Sequence, residues 1–287
     1  MIFYIIIIIG IIFLVCIISW ITDTHRFVVR RYDIVSDKVK RDVCFVMISD
    51  LHNKDYGNDN QKIIDTVNEI KPEAVLIAGD MPDALKGHDF SPAINLIRNL
   101  AKRYPIYYGY GNHEYRMKLY PEDYGTMWED FSSELDRIGV HIMDNESAYL
   151  EDTGIEIDAL TIERRFYKRI KGGILSSEDV KGYLGDIDDP NEPPFRLLIA
   201  HNPEYFEAYS KWGADLTVSG HVHGGIMRLP YLGGVISPRF RLFPKYSGGE
   251  YELNGRKMIV SCGLGTHTIH VRVFNPGELS VINIKKS

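Results

Sequence analysis

Five times between Val43 and His223 a short apolar run stops on a small cluster of Asp, Asn, His and Gly. Val43 to Ser49 leads into Asp50-Leu51-His52, and Ala74 to Ala78 into Gly79-Asp80. Ile106 to Tyr110 leads into Gly111-Asn112-His113-Glu114. Phe195 to Ala200 leads into His201-Asn202, and Leu216 to Ser219 into Gly220-His221-Val222-His223. Each run has the length of a buried strand. Helical spacing lies between them. Gln61 to Ile70 carries Ile63, Ile64, Val67 and Ile70 on one face; Ser91-Pro92 reads as an N-cap and first-turn proline opening a helix to Lys102; Thr126 to Ile138 is amphipathic; Pro203 to Lys211 is a short helix. Ile155 to Ile162, Tyr251 to Leu253, Lys257 to Val260 and Leu279 to Ile284 read as further strands. Alternation of strand and helix, closing on strands, predicts an α/β sandwich with mixed sheets.

In open α/β sheets ligands bind beyond the carboxyl ends of strands. Five polar clusters at five such ends therefore have a geometric reason to meet. Carboxylate, imidazole and amide donors without thiolate suit Mn²⁺, Fe²⁺ or Zn²⁺. The one-residue spacing of Asp50 and His52, and of His221 and His223, puts each pair on one face if the segment is extended. Asp80, alone after its strand, has two oxygens with which to bridge two ions. Two ions about 3.5–4 Å apart hold an activated water and clamp both oxygens of an in-line displacement at phosphorus.

In this order the pieces DLH, GD, GNHE, H and GHVH resemble the calcineurin-like metallophosphoesterase superfamily, from about Asp50 to Arg272. The resemblance implies a four-layer αββα sandwich with two mixed β-sheets. It implies two divalent ions, Mn²⁺ first and Zn²⁺ or Fe²⁺ as alternatives. One would be held by Asp50, His52, Asp80 and His223, the other by Asp80, Asn112, His201 and His221. His113 matches the family residue that donates a proton or hydrogen bond to the leaving oxygen. Glu114 is expected to orient His113 or a metal ligand from behind. The chain further resembles a bacterial membrane-anchored branch that includes enzymes cleaving UDP-2,3-diacylglucosamine. Gly224-Gly225 and Gly263-Leu264-Gly265 fit that branch, and Arg272, Pro276 and Glu278 partly keep its C-terminal pattern. Ile226 stands where Gln is common, and His270 where Pro is common. The expected reaction is hydrolysis of a phosphodiester or pyrophosphate, in a phosphorylated small molecule or a lipid-linked substrate, by metal-activated hydroxide. A protein or small-molecule phosphomonoesterase, and an inactive membrane-tethered scaffold of the same fold, are the alternatives.

From Ile2 to Ile21 no residue is charged, a stretch about long enough to cross a bilayer core as a helix. No basic residue precedes it, and Ser19-Trp20-Ile21 is a poor cleavage site, so it reads as a retained anchor rather than a signal peptide. Trp20 sits where an interfacial aromatic belongs. Arg26, Arg30, Arg31, Lys38, Lys40 and Arg41 follow the span. They predict a single-pass protein of the cell membrane with its catalytic domain in the cytoplasm. The opposite orientation fits if Arg30 and Arg31 belong to the folded domain. The domain expectation is an anchor over 1–22, a basic linker over 23–41 and a phosphoesterase domain over 42–287. The net charge of −6 argues against a nucleic-acid partner. Three cysteines without a CxxC pair suggest neither a disulfide framework nor a thiolate zinc site.

Two further stretches carry open readings. Arg164 to Lys171 is basic and aromatic; a solvated loop is preferred over a membrane-surface patch. Gly224 to Gly249 follows two metal-type histidines, with Met227, Leu229, Tyr231, Phe240 and Phe243 in it. It either shapes the pocket, with Arg228, Arg239 and Arg241 as candidate phosphate or headgroup ligands, or is a loop with its own small core. Arg272 is a further candidate for substrate contact. His270 is a candidate for lining the site, whereas His25, His88, His141 and His267 have no motif context.

Overall fold

The computed structural model describes residues 1–87, 89–168, 172–187, 193–229, 231–237, 242–266 and 270–287. The first half of the chain runs as α1 (Ile2–Thr24), β1 (Phe27–Ser36), β2 (Val43–Ile48), α2 (Gln61–Ile70), β3 (Ala74–Ala78), α3 (Ser91–Ala101), β4 (Ile106–Gly109), α4 (Asn112–Leu119), α5 (Pro121–Tyr124), α6 (Met127–Ile138), β5 (His141–Met143) and β6 (Glu146–Leu150). The second half runs as β7 (Ile155–Leu160), α7 (Ser177–Leu184), β8 (Phe195–Ala200), α8 (Phe206–Trp212), β9 (Leu216–Ser219), β10 (Arg228–Leu229), β11 (Gly233–Gly234), β12 (Gly249–Leu253), β13 (Arg256–Val260) and β14 (Gly277–Lys286).

Two six-stranded sheets result, in the orders β1-β14-β2-β3-β4-β5 and β12-β13-β9-β8-β7-β6, plus the small β10-β11 hairpin. Each sheet mixes parallel and antiparallel pairs; β2 and β3 are parallel, for example, while β14 and β2 are antiparallel. Side chains alternate across a strand, so β2 sends Phe45 and Met47 to one side and Val46 and Ile48 to the other. Phe45 and Met47 pack with Ile157, Leu197 and Val218 in a core between the sheets. Val46 and Ile48 pack with Ile63, Val67, Leu96 and Phe131 beneath α2, α3 and α6. On the far side Leu198 and Ala200 pack with Val180, Tyr209 and Trp212 beneath α7 and α8. The order of layers is helix, sheet, sheet, helix, the αββα sandwich expected.

Two sequence expectations change. Phe27 to Ser36, read as linker, is a ten-residue edge strand paired in parallel with β14. Tyr32 and Ile34 are buried beneath it, and Arg30 pairs with the buried Glu278 at 2.7 Å. A charged face disguised a strand whose other face is apolar. The folded domain therefore begins near Phe27, and Arg30 and Arg31 belong to it. Ser91 is the first helical residue rather than the cap; the Asp89 carboxylate accepts its N–H at 2.8 Å.

Candidate metal centre

Asp50, His52, Asp80, His221 and His223 all have left-handed backbones, with φ between 48° and 71°. Outside glycine this conformation costs about 1–3 kcal/mol each and persists where the surroundings over-determine it. The extended geometry expected for Asp50-Leu51-His52 and His221-Val222-His223 is thus not what forms. The chain turns sharply at each strand end and aims these side chains inward. Backbone bonds fix the turns: Asp50 N–H donates to Gly79 O at 2.9 Å, and His52 N–H to Asp80 O at 3.2 Å. Glycine is demanded nearby. A Cβ on Gly111 would overlap the Asp80 carboxylate, and one on Gly220 would overlap that of Asp50.

The result is a buried knot of opposed groups. Ligand-type atoms of Asp50, His52 and His223 lie within 4.8 Å of one another, as do those of Asp80, His201 and His221, and those of His52, Asp80 and His113. Asp50 also accepts the His221 N–H at 2.9 Å, and Asp80 the His113 N–H at 2.8 Å, so each carboxylate ties two strand ends together. Burial raises the Asp50 carboxyl above the usual range. Burial opposes charge on Asp80 too, but the imidazoles of His201, His113 and His52 outweigh it and hold that carboxyl well below the usual range. Burial works to depress His201, yet Asp80 and Asp50 lift it to about 9.

Three features of this knot fit cations. Imidazole nitrogens face each other, His52 Nε2 to His223 Nε2 at 3.2 Å and His201 Nε2 to His221 Nδ1 at 3.3 Å. The opposite nitrogens are occupied: His52 Nδ1 meets Asp83 Oδ1 at 2.7 Å, His201 Nδ1 meets Ala78 O at 2.6 Å, and His223 Nδ1 meets Gly265 O at 3.4 Å. Such acceptors hold one proton on Nδ1, so that a metal would displace only the proton on Nε2. Finally, the Asn112 Oδ1 is buried with no hydrogen-bond partner. An orphaned buried acceptor costs about 1–3 kcal/mol, which a cation would recover.

Around these ligand-type groups the other candidates separate. His113 is buried, and its Nδ1 accepts the Ala84 N–H at 2.8 Å, which places a neutral ring's proton on Nε2. Glu114 is fully buried behind the site. Its oxygens accept from Asp80 N–H, Gly111 N–H, Met81 N–H and Tyr108 O–H between 2.6 and 3.0 Å. It therefore locks the Asp80 turn against the Gly111 turn rather than orienting His113. Burial, reinforced by the Asp80 charge, raises its carboxyl to about 7.

Arg272 and Arg228 lie elsewhere than expected. Arg272 is 1% exposed and donates to the carbonyls of Cys262, Gly263, Gly265 and Asn275. Arg228 donates to the carbonyls of Gly224, Ser247 and Gly248. Both guanidinium groups staple loops together. His270 is exposed and tied to Thr266. The Arg164 stretch is no simple loop. Residues Arg164–Tyr167 form a 3₁₀ turn with Phe166 buried, and the Tyr167 ring lies 5.3 Å from that of His221. His88, His267, Arg169, Ile170, Lys171, Arg239, Phe240 and Arg241 lie outside the described residues. A cleft of about 910 Å³ opens beside His221, with Lys168, Tyr205, Phe243, Lys245 and Tyr246 in its walls.

Sequence reading missed Asp83 and the carbonyls of Ala78 and Gly265. Backbone carbonyls carry no residue signature, and Asp83 sits in a loop without periodicity. Tyr167 lies within a basic stretch and carries no motif of its own.

The family model described as "Calcineurin-like phosphoesterase" matches residues 45–225. The Bacillus subtilis protein named uncharacterized metallophosphoesterase YkuE is 27% identical, over 84% of this chain and 79% of that one. The Escherichia coli protein named phosphodiesterase YaeI is 26% identical, over 69% of this chain and 65% of that one. A Danio rerio transmembrane protein with metallophosphoesterase domain is 26% identical over 84% of this chain, which spans only 53% of that longer protein.

Proposed function

As a member of the calcineurin-like phosphoesterase family this chain is a metal-dependent phosphoester hydrolase, and we propose that it cleaves a phosphodiester or pyrophosphate bond in a lipid-linked substrate at a membrane. The convergence of aspartate and histidine from separate strand ends into one buried cluster carries the reading. Asp50, His52, Asp80 and His223 are assigned to one divalent ion, and Asp80, Asn112, His201 and His221 to a second. Bound there, two ions, Mn²⁺ in first place, supply charge neutralisation at phosphate and an activated water.

The chain's own groups do the rest. Glu114 keeps Asp80 aimed. His113, with Nδ1 engaged by Ala84, presents Nε2–H and serves as a hydrogen-bond donor to the leaving oxygen without changing charge. The half-apolar cleft beside His221 takes the remainder of the substrate. A lipid-linked substrate is supported by α1, which is long and apolar enough to cross a membrane.

The test compares variants on bis-p-nitrophenyl phosphate with added Mn²⁺. Asp80→Ala is expected to abolish cleavage. His113→Ala is expected to lower kcat about 10²- to 10³-fold with bound metal retained. Full activity of Asp80→Ala overturns the site.

A further inference from the structure

α1 does not dangle from the domain. Its last turns are built into it. Phe274 N–H donates to Ser19 Oγ at 2.7 Å, and Asn275 N–H to Asp23 Oδ2 at 3.0 Å. The Trp20 indole donates to His270 O at 3.1 Å. The register of the sheet says where this junction lies. Phe27 pairs with Gly277, and Ser280, three residues on, pairs with Met47 near the end of β2. Asp50 follows directly. The helix therefore leaves the domain from the same edge that carries the metal-type cluster.

A second observation runs along that edge. A shallow depression beside α1 is bounded by Val15, Ile18 and Phe274. Phe274 also borders a neighbouring depression with Tyr231 and Leu232. Pro244 and Lys245 join this one to the cleft that reaches His221. The path from helix to cluster is rimmed by solvent-exposed apolar side chains: Tyr231 fully, Ile174 90%, Leu242 67%, Leu232 64%, Phe243 58% and Phe274 40% exposed. Single exposed apolar residues are ordinary, but a connected row is not. Lysines at 168, 211 and 245 flank the row, with Glu204 and Glu207 among them. Aromatic and aliphatic side chains flanked by lysine are the composition of a surface seated in a bilayer interface.

We propose that this rim is a second membrane contact: Tyr231, Leu232, Leu242, Phe243 and Phe274 sit in the interfacial layer of the same bilayer that α1 enters, so that the cleft opens onto lipid. The inference rests on the reading of α1 as a membrane span and adds an orientation to it. The strand register brings the end of α1 to the site edge, and the adjoining depressions carry the rim from Phe274 beside the helix to the cleft at His221. An amphiphilic substrate then reaches His221 along the depression without leaving the interface.

The full chain, reconstituted in vesicles of phosphatidylcholine and phosphatidylglycerol, tests this with an environment-sensitive fluorophore and doxyl-labelled lipid as quencher. In a background with Cys44→Ser, and with Cys16→Ser except where Cys16 is the labelled residue, the fully buried Cys262 is left in place and single accessible probes are placed at Leu232→Cys, Leu242→Cys, Asp136→Cys and native Cys16. Asp136 lies at the C-terminal end of α6, away from the rim. Blue-shifted, quenched emission at Leu232, Leu242 and Cys16, with none at Asp136, is the expected result. Quenching at Cys16 but water-like emission at both rim positions overturns the rim and leaves the anchor. Water-like emission at Cys16 overturns the anchor and the inference with it. Use of two rim positions keeps the result readable if one variant folds poorly.

Discussion

At the scale of the residue, the site is a set of costly choices that support one another. Five ligand-type residues with left-handed backbones and two buried carboxylates sit where a fold optimised only for stability would have none. Glu114 is the residue that holds the arrangement. Glu114→Ala strips acceptors from three buried backbone N–H groups and the Tyr108 hydroxyl, and should lower the unfolding free energy by about 3 kcal/mol or more. Thermal unfolding in detergent checks this, and an unchanged midpoint removes Glu114 from that role. The sequence made the side chains of the knot legible because their order and their position after apolar runs were visible. It left the backbone strain illegible. Nothing in Asp-x-His spacing distinguishes a left-handed turn from an extended segment, and the turn depends on bonds to Gly79 and Asp80 that come from a neighbouring strand.

At the scale of the element, apolar periodicity located α2, β3, β8 and β9 to their ends because each buries a complete face or stripe. Elements lacking such a stripe escaped. Among the residues of α4, Met117 is the one buried aliphatic side chain, and the helix is held by its Gly111–Glu114 start. Edge strand β1 hid behind its arginines. The junction of α1 with the loop before β14 was also invisible, since it consists of single polar bonds. Asp23 accepts from Ser19, Arg26 and Asn275 N–H, while the Asn275 side chain donates to His223 O at 2.7 Å. Asp23→Ala should cost about 1–3 kcal/mol by leaving the buried Asn275 N–H unpaired. A drop of a few degrees in melting temperature, together with weaker metal binding, is the expected outcome. Unchanged metal affinity would separate the anchor from the site.

At the scale of the molecule, two sheets bring five strand ends to one edge, and an apolar helix leaves from that edge. We propose that the domain faces the cytoplasm, supported by the basic residues that follow the span. Arg30 and Arg41 are paired with Glu278 and Glu73 in the fold, so the proposal rests on the remaining basic residues of the flank, Arg26, Lys38 and Lys40 among them. Protease added to intact cells should leave the domain uncut, and cut it once the membrane is permeabilised. Cleavage in intact cells would place the domain outside.

We propose that the buried aspartates and histidines hold two divalent ions, with Asp80 common to both ligand sets. Metal content of the full-length chain, purified in detergent and dialysed against trace Mn²⁺, measures it directly. About two equivalents per wild-type chain, falling below two in Asp80→Ala, is the predicted result. A wild-type chain that binds none, or an Asp80→Ala chain that binds as much as wild type, would contradict it.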